Sequence, residues 1–364
     1  MEPLLPYVVE QNLVDHHCHG VLRDDLDRTG FEELLTEADQ VSPWGTSLFD
    51  SAVGLAVRRW CAPLLDLPPN APADEYMARR LSLGAAEVNR AFLVASGISV
   101  FLVDGGLWPE RLSGPSVFTG SREFSVLRLE ALAEEVIGGG PTSFPDAIRS
   151  ALERTPAVAA KSIAAYRVGL DLAPERPSDR EVVAACERWA GQGRCADEVL
   201  SRFLVWEALE RGLPVQFHVG YGDRDVTLHR ADPSLLTPLL RATEALGVPI
   251  MLLHNYPFHR TAGYLAQVFP HVFVDVGLAT HNVGHQATRL LGEALEIVPY
   301  GKFLFSTDAF ALPELYHLGA LFFRRALSDF LLSALRRHAF AEADAVRIAH
   351  LIGWENAHRA YRLD

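Results

Sequence analysis

The stretch VDHHCHG, residues 14–20, places three histidines and an aspartate directly behind the apolar Leu13 and Val14. His17 and His19 are two positions apart, so on an extended segment both side chains project to the same side. Two imidazoles at the end of a buried strand can hold one metal ion. A lone H-x-H pair is nevertheless a weak signal, and the residues that complete a site have to come from elsewhere in the chain.

The overall composition predicts a globular protein with a large core. The chain has 364 residues, 49% of them hydrophobic, and a formal net charge of −13. Two domains would fit this length, but α/β barrels of this size often form one. The acidic balance argues against nucleic acid and against an anionic membrane surface as partners, since both attract clustered Lys and Arg. A small molecule is therefore the expected partner, and a homo-oligomer stays open.

The location of the protein is predicted to be cytoplasmic. No apolar run approaches the roughly 18 residues that span a bilayer, and the first residues, MEPLLPYVVEQ, have no basic segment and no signal-like core. The four cysteines lack C-x-x-C spacing, which indicates neither a disulfide framework nor a cysteine zinc site; they are Cys18, Cys61, Cys186 and Cys195.

Short apolar runs recur along the chain and alternate with amphipathic helical patterns such as residues 197–212 and 234–247. Eight runs are candidate strands: NLVDHHCH (12–19), GISVFLVDGG (97–106), FSVLRLE (124–130), AVAAKSIAAY (157–166), LPVQFHVG (213–220), VPIMLLHNY (248–256), HVFVDVG (271–277) and KFLFSTDA (302–309). Strands that alternate with helices imply a parallel sheet. Eight such units predict an α/β fold, a (β/α)8 TIM barrel that spans residues 1–364 as a single domain.

Residues 21–75 do not fit the repeat. They include FEELLTEA and SLFDSAVGLAVRRWCAPLLDLPP, which have helical patterns, and they end in a proline-rich exit. An insertion after a barrel strand lies on the C-terminal face, where active sites are found. We therefore expect a helical cap, inserted after the first strand, whose inner surface lines the substrate pocket. The alternative is a small separate helical domain without a catalytic role.

Polar residues end three of the later candidate strands. His218 ends PVQFH, His254 ends PIMLLH and Asp308 ends KFLFSTD, which is where barrel enzymes place catalytic groups. Imidazole nitrogens and a carboxylate suit Zn²⁺ or a similar divalent ion, with a position left for water. Each histidine alone could be a core residue, but four strand ends in the right order predict a metal site.

This order of residues resembles the amidohydrolase superfamily, and specifically its family-2 branch. The match runs from DHHCH through Lys161, His218 and His254 to the STD that ends in Asp308, and the closing GWENAHRAYRL extends it over essentially the whole chain. AKSIAAYRVGL, LLHNYPF and FSTDA look closer still to the amidohydrolase-like domains fused to glutamine synthetase in some plant and fungal proteins. The resemblance implies a metal-dependent hydrolase, usually acting on C–N bonds, although some relatives perform decarboxylation, hydration or isomerisation.

The expected metal ligands are His17, His19, His218 and Asp308, around one or two Zn²⁺ ions or, alternatively, Mn²⁺. Asp308 is also expected to take and return the proton of a metal-bound water. His254 is either a further ligand or a group that polarises the substrate carbonyl. The superfamily resemblance implies that Lys161 becomes a carbamate bridging two ions; the alternative is a cation that anchors a substrate carboxylate.

Four further residues are candidates for substrate binding. Arg128 and Glu130 are two apart on the third candidate strand, and Tyr166 and Arg167 follow Lys161. A guanidinium there would suit a carboxylate-bearing substrate, while a structural ion pair is the competing interpretation of each. His16, His229, His259, His281 and His285 are expected on exposed loops.

Taken together, the sequence predicts a metal-dependent amidohydrolase. We expect it to cleave an amide bond of a small, carboxylate-bearing substrate by a metal-activated water. A metal-dependent decarboxylase, hydratase or isomerase with the same ligands is the first alternative. A barrel without catalytic activity that serves as a binding module is the second.

Overall fold

The computed structural model describes residues 4–38, 40, 42–189 and 193–363, and its centre is a curled parallel sheet. Seven strands form this sheet in the order β1-β3-β5-β6-β7-β8-β9, and β2 and β4 make a separate antiparallel pair. The nine strands are β1 Leu13–Cys18, β2 Val21–Leu22, β3 Ile98–Asp104, β4 Leu112–Ser113, β5 Arg122–Arg128, β6 Ala159–Ser162, β7 Val215–Val219, β8 Ile250–His254 and β9 Val272–Val274.

The eighth candidate strand, residues 302–309, lies between the two edge strands without forming a regular ladder. Leu304 N donates to Val274 O of β9 at 3.0 Å, and His16 N of β1 donates to Phe305 O at 3.1 Å. Further along, Thr307 N bonds the carboxylate of Asp15 at 2.9 Å instead of a backbone carbonyl. The parallel sheet with seven of eight strands is confirmed, and the eighth segment is irregular because a side chain replaces its ladder partner.

Helices cover the sheet and connect its strands. The α-helices are α1 Pro6–Val9, α2 Arg28–Glu33, α3 Ala52–Ala56, α4 Ala73–Leu83, α5 Ala85–Ser96, α6 Ser116–Thr119, α7 Leu129–Val136, α8 Phe144–Arg154, α9 Ala164–Arg167, α10 Asp179–Trp189, α11 Glu198–Glu210, α12 Thr237–Thr243, α13 His259–Val268, α14 Gly277–Asn282, α15 Ala287–Ala294, α16 Pro313–Arg336, α17 Glu342–His350 and α18 Asn356–Tyr361. Short 3-10 turns lie at Leu48–Asp50, Ala62–Leu65, Ile137–Gly139, Pro141–Ser143, Leu228–Ala231, Pro233–Leu236, Glu244–Leu246, Gly284–Gln286 and Tyr300–Lys302, with π turns at Val57–Cys61 and Leu351–Glu355. Among the described residues, none of these helices combines the length and the apolar character that crossing a bilayer requires.

The first strand brings its polar residues into the interior. All six residues of β1 are buried, and its pairing with β3 shifts register between Asp15 and Cys18. The shift lies at His16 and His17. Their rings have partners on different elements: His16 bonds Asp275 and His17 bonds Gln216 of β7. A polar strand can be buried here because each ring has a hydrogen-bonding partner.

The inserted residues 21–75 form short helical pieces rather than long helices. Phe31 of α2 stacks on Phe49 with ring centroids 5.5 Å apart. The following helix, α4, is bound to the long helix α16, since Tyr76 and Arg80 both donate to the buried Glu314, at 2.9 and 2.8 Å. The apolar side chains of the insertion pack into the same core cluster as the strands.

Candidate metal centre

The carboxylate of Asp308 lies among three imidazoles at the carboxyl ends of the strands. Its Oδ1 is 3.1 Å from Nε2 of His17 and 3.3 Å from Nε2 of His19. Its Oδ2 is 3.3 Å from Nδ1 of His254. All four side chains are buried. The structure therefore brings together four of the six residues that the sequence predicted as metal ligands.

Neighbouring groups fix how the two histidines of β1 face Asp308. His17 Nδ1 donates to Gln216 Oε1 at 2.8 Å, and His19 Nδ1 donates to the backbone oxygen of Asp104 at 2.9 Å. With Nδ1 protonated in both rings, Nε2 keeps its lone pair and points toward the carboxylate. This is the tautomer and orientation that metal-binding histidines usually have.

The backbone at two of the site residues has an uncommon conformation. His254 has φ +68° and Asp308 has φ +49°, values that non-glycine residues rarely adopt and that cost of order 1–3 kcal/mol each. At His254 the backbone N–H donates to Asp275 Oδ1 at 2.8 Å, which helps to hold this conformation. The strain turns both side chains inward at the ends of β8 and of the eighth segment.

Several polar atoms of the site are buried without a hydrogen-bond partner among the described residues. They are Nδ1 and Nε2 of His254, Nε2 of His218 and Oδ1 of Asp308. Leaving such groups unpaired costs about 1–3 kcal/mol each. The side chains of His17, His254 and Asp308 offer ligand atoms within 4.8 Å of one another, as do those of His17, His19 and Asp104. The donor set and its unpaired atoms fit a divalent ion.

Burial and neighbouring charge set the protonation of the site. Burial, with the charge of Lys161, lowers the pKa of His17 to about 4, and burial holds the pKa of His254 well below its usual value. For Asp308 burial acts in the opposite direction, but the surrounding imidazoles outweigh it and hold the pKa of its carboxyl well below the usual range. Neutral imidazoles and an ionised carboxylate are the forms that bind metal.

Lys161 of β6 reaches the same site. It is 2% exposed, and its Nζ lies 3.4 Å from His17 Nε2. Burial lowers the pKa of its ammonium to about 8, which increases the fraction of free amine at neutral pH. Lys161 is thus next to the predicted ligands, whether as amine or as carbamate.

His218 lies beside this group rather than within it. Its ring centroid is 4.6 Å from that of His254 and 4.4 Å from that of Tyr166, but it belongs to neither of the two ligand groups found among the described residues. Gly222 approaches closely: a Cβ there would be 2.8 Å from His218 Nε2 and 2.2 Å from the hydroxyl of Tyr166. Glycine at position 222 therefore leaves room for both rings.

The other predicted substrate residues differ in their surroundings. Arg128 is engaged by Asp104, with its Nη2 2.6 Å from Oδ2. Arg167 is less constrained, since none of the described residues offers a hydrogen-bond partner to its Nε and Glu134 Oε1 is 3.6 Å from its Nη2. Glu130 lies in the first turn of α7 rather than on the strand, and it accepts a hydrogen bond from Ser162 Oγ at 2.8 Å. Its contact with substrate stays a prediction.

Sequence reasoning missed Asp104 and Asp275, although each ends an apolar strand as His218 and His254 do. Asp104 holds Arg128, and Arg128 keeps the pKa of its carboxyl well below the usual range against the effect of burial. Asp275 accepts hydrogen bonds from His16 Nε2 and from the backbone of His254, both at 2.8 Å. The same strand-end rule that found the histidines would have found both carboxylates.

The expectation of exposed loop histidines is wrong for three of the five. His16, His259 and His281 are buried, while His229 and His285 are exposed. His16 is buried because it lies on β1 with a carboxylate partner. His259 bonds Glu293 at 2.9 Å, and His281 lies on α14 with Nδ1 unpaired.

A cavity opens over the site. It has two overlapping parts of about 460 and 420 Å³, and residues of the insertion, among them Leu26 and Glu37, line it together with Asp308. Burial, with the charges of Asp308 and Asp223, raises the pKa of Glu37 to about 7. This volume is in the range of small-molecule sites.

Comparison with known proteins gives a consistent set of relatives. A family model described as Amidohydrolase matches residues 139–363. Protein fluG of Emericella nidulans is 28% identical over 408 aligned positions, which cover 97% of this chain and 46% of fluG. The chain thus spans about half the length of that curated relative.

Two solved structures resemble the whole chain. A protein from Lactobacillus casei ATCC 334, described as a metal-dependent hydrolase, is 28% identical with a TM-score of 0.84, covering 98% of this chain and 96% of that one. An uronate isomerase from Bacillus halodurans C-125 has a TM-score of 0.66 at 15% identity, covering 98% of this chain and 95% of the isomerase. The second likeness concerns the fold alone.

Proposed function

The chain belongs to the amidohydrolase family, and we propose that it is a metal-dependent hydrolase that cleaves an amide C–N bond of a small, carboxylate-bearing substrate. The observation that carries the proposal is the buried group of His17, His19, His254 and Asp308. One ring nitrogen of each histidine lies 3.1–3.3 Å from a carboxylate oxygen of Asp308. The likeness to the L. casei protein over nearly its full length supports a metal-dependent hydrolase, since that protein is described as one.

The proposed ion is Zn²⁺, with Mn²⁺ as the alternative. His17, His19 and Asp308 would hold it, with His218, His254 and Lys161 as the further ligands if two ions are bound. A divalent ion, when bound, lowers the pKa of its water toward about 7 and polarises a carbonyl oxygen. Nitrogen and carboxylate donors of this kind suit both metals.

Asp308 is the proposed proton carrier of the site. Its carboxylate is ionised and buried, and its Oδ2 faces His254 while Oδ1 faces the two histidines of β1. A carboxylate in this position can take a proton from water and return it to the leaving nitrogen. His254, whose ring nitrogens lack partners, is the proposed hydrogen-bonding group for the substrate carbonyl.

Arg167 is the proposed anchor for the substrate carboxylate. Its side chain is 12% exposed and lines the cavity, and its unpaired Nε leaves a donor for a charge-assisted hydrogen bond. Tyr166 would position His218, since its hydroxyl lies 3.4 Å from His218 Nδ1. Arg128 would add positive charge, which Asp104 partly offsets.

We propose that residues 21–75 cap the site within a single domain of residues 1–364. Leu22, Leu26 and Glu37 line the cavity, which supports the placement of the insertion on the catalytic side. The shared core cluster and the contacts of α4 with Glu314 support one domain. A cytoplasmic location stays part of the proposal.

Elemental analysis and an amide panel test the function together. The protein would be purified, loaded with Zn²⁺ or Mn²⁺, and assayed for amine release from γ-glutamyl and other N-acyl amino-acid amides. We expect bound metal and amine release in the wild type, and neither in the His17→Ala/His19→Ala double variant; His229→Ala, at an exposed position, is the control. Decarboxylation or isomerisation of carboxylated compounds without amine release from any amide would contradict the proposal.

A further inference from the structure

The cavity over the metal centre has two lobes with different walls. One, here called the leucine lobe, has a volume of about 460 Å³ and is lined by Leu22, Leu26, Leu34, Leu35, Leu278 and Leu315. The other, here called the arginine lobe, has a volume of about 420 Å³ and is lined by Arg128, Lys161, Arg167 and Arg194 together with His218 and His254. Asp308 borders both, so the two lobes meet at the reacting centre.

The leucine lobe is built to hold an apolar group away from water. Leu22, Leu35, Leu278 and Leu315 are buried, and Leu26 and Leu34 are partly buried. Glu33 and Arg111 also line this lobe, but both residues are exposed, which places their charges toward its rim. The remaining acids of its wall are Glu37, Asp223 and Asp308, which all line the arginine lobe as well and so lie on the side where the two lobes meet. An alkyl or aryl group that enters this lobe exchanges water for leucine side chains, and that burial is favourable.

Besides Asp308, a second buried polar side chain lies in the wall of the leucine lobe. His281 is 1% exposed and lines the same lobe, and its Nδ1 finds no hydrogen-bond partner in the described part of the chain. Burial lowers the pKa of His281 to about 4, so the ring is neutral at pH 7. Its unpaired Nδ1, in the wall of the lobe that Asp308 also borders, can bond one polar atom of the substrate.

The arginine lobe offers the complementary charge. Arg167 keeps an unpaired Nε, and Glu134 is no closer than 3.6 Å to its Nη2. Arg128 and Arg194, in contrast, are occupied by ion pairs with Asp104 and Asp225, at 2.6 and 2.7 Å. One guanidinium is thus available for a carboxylate on this side of Asp308.

We propose that the substrate is an amide that joins a carboxylate-bearing half, held in the arginine lobe, to an apolar alkyl or aryl half, held in the leucine lobe with His281 at its polar end. This inference rests on the proposed hydrolase function and names its substrate class. Two classes of compound contain such an amide. One is an amino acid acylated by an apolar acid, and the other is the side-chain amide of an amino diacid with an apolar amine.

Two series of amides distinguish these sources. One series is N-acyl-glutamates of rising acyl length, and the other is γ-glutamyl alkylamides of matched length. For the correct series kcat/KM should rise about fourfold with each methylene, as burial of a CH₂ predicts, and level off when the lobe is full. Amides that are hydrolysed at rates independent of chain length in both series would overturn the inference and leave the hydrolase function standing.

A substitution that narrows the leucine lobe tests the placement. Gly30 of α2 lines this lobe, and a Cβ there would make ordinary contacts of 3.4 Å with Asp27 and Leu26. We expect Gly30→Leu to lower kcat/KM for the longest amides by at least about tenfold and to leave the shortest unchanged. The matched control is Gly292→Leu in α15, where a Cβ meets nothing within 4 Å.

A second variant and a binding measurement test the same inference independently. Leu26→Asp places a charge in the lobe at a partly buried position and should also abolish the preference for long chains; an unchanged preference in both Gly30→Leu and Leu26→Asp would overturn the inference. Calorimetric binding of the same amides is the second measurement. If no amide is hydrolysed, the proposed function fails, and chain-length-dependent binding that Gly30→Leu removes would still support the two-lobe cavity. Binding without that dependence would contradict it.

Discussion

At the scale of single residues, Asp308 combines two properties that normally compete. It is buried, which disfavours its charge, yet the imidazoles of His17, His19 and His254 keep it ionised. Its strained backbone, with φ +49°, turns the carboxylate toward those rings. These two properties support the proposal that Asp308 serves both as a metal ligand and as the proton carrier.

Replacing Asp308 by Asn should therefore affect turnover more than metal content. Asn keeps the shape of the side chain and one weak oxygen ligand, and the histidine nitrogens should retain most of the affinity for the ion. The loss of the base should lower kcat by at least about a hundredfold. Elemental analysis and kinetics on the same preparation measure the two effects. An Asn variant that holds its metal and turns over normally would assign the proton transfer to another group, with His254 the first to examine.

We predict that the chemical state of Lys161 decides how many ions the site holds. Its Nζ is 3.4 Å from His17 Nε2, and the lowered pKa of about 8 leaves more of the free amine that reacts with carbon dioxide. We expect a carbamate at Lys161 to accompany two ions with His254 as a ligand, and an unmodified amine to accompany one. A structure from crystals grown with bicarbonate would show both the state of Lys161 and the number of bound ions. Plain lysine beside two well-occupied ions would contradict the link.

At the scale of elements, a buried ion pair joins α4, the helix in which the insertion ends, to the long helix α16. Arg80 and Glu314 are 3% and 0% exposed, with Arg80 Nε 2.8 Å from Glu314 Oε1. Removing one partner of such a pair leaves an uncompensated buried charge, which costs about 3–5 kcal/mol. The pair thus joins the edge of the proposed cap to the helix that follows Asp308.

We accordingly expect Arg80→Met to lower the free energy of unfolding by about 3–5 kcal/mol. Urea unfolding followed by circular dichroism would measure the change. Arg79→Met on the same helix is the matched control: Arg79 pairs with Asp66, whose side chain is 86% exposed, and such pairs contribute about 0–1 kcal/mol. Equal losses in the two variants would show that the pair with Glu314 has no special weight.

The sequence predicted the elements well where apolar, β-branched runs end in a polar residue. β1, β3, β7 and β8 begin and end within about two residues of the predicted runs. The eighth run was predicted as a strand because FLF (303–305) is apolar. In the structure Asp15 accepts a hydrogen bond from the backbone N–H of Thr307, a long-range contact that no local pattern contains. Glu130 was predicted to lie on a strand because it ends the run FSVLRLE, but the helix α7 already begins at Leu129.

The candidate site was predictable in its ligands and not in its supports. His17, His19, His254 and Asp308 could be found because each stands at a strand end. Gln216 could not, since it lies inside PVQFH and becomes a partner of His17 only when β1 and β7 face each other across the barrel interior. The leucine lobe could not be predicted either, because its leucines come from three separate parts of the chain: the insertion, α14 and α16.

At the scale of the whole molecule, the candidate metal centre combines residues from the first strand with a residue from far along the chain. His17 and His19 come from the first strand, whereas Asp308 comes from the segment that lies between the first and last strands of the sheet. A bound ion would contact both, in addition to the few hydrogen bonds that hold this segment in place. The unfolded chain has no such preformed site, so metal binding should stabilise the fold.

Chelation should therefore lower the thermal stability of the protein. An ion present at about a hundred times its dissociation constant adds about 2.7 kcal/mol to the folded state, which for a chain of 364 residues corresponds to a shift of about 3–4 °C in the unfolding midpoint. Differential scanning calorimetry before and after a chelator, and again after Zn²⁺ or Mn²⁺ is restored, measures it. The His17→Ala/His19→Ala double variant should unfold at the same temperature with and without chelator, while His229→Ala should respond as the wild type does. A wild type that loses its metal by elemental analysis and keeps its midpoint would mean that the segment around Asp308 is held by its hydrogen bonds alone, and that the ion serves chemistry without contributing to the fold.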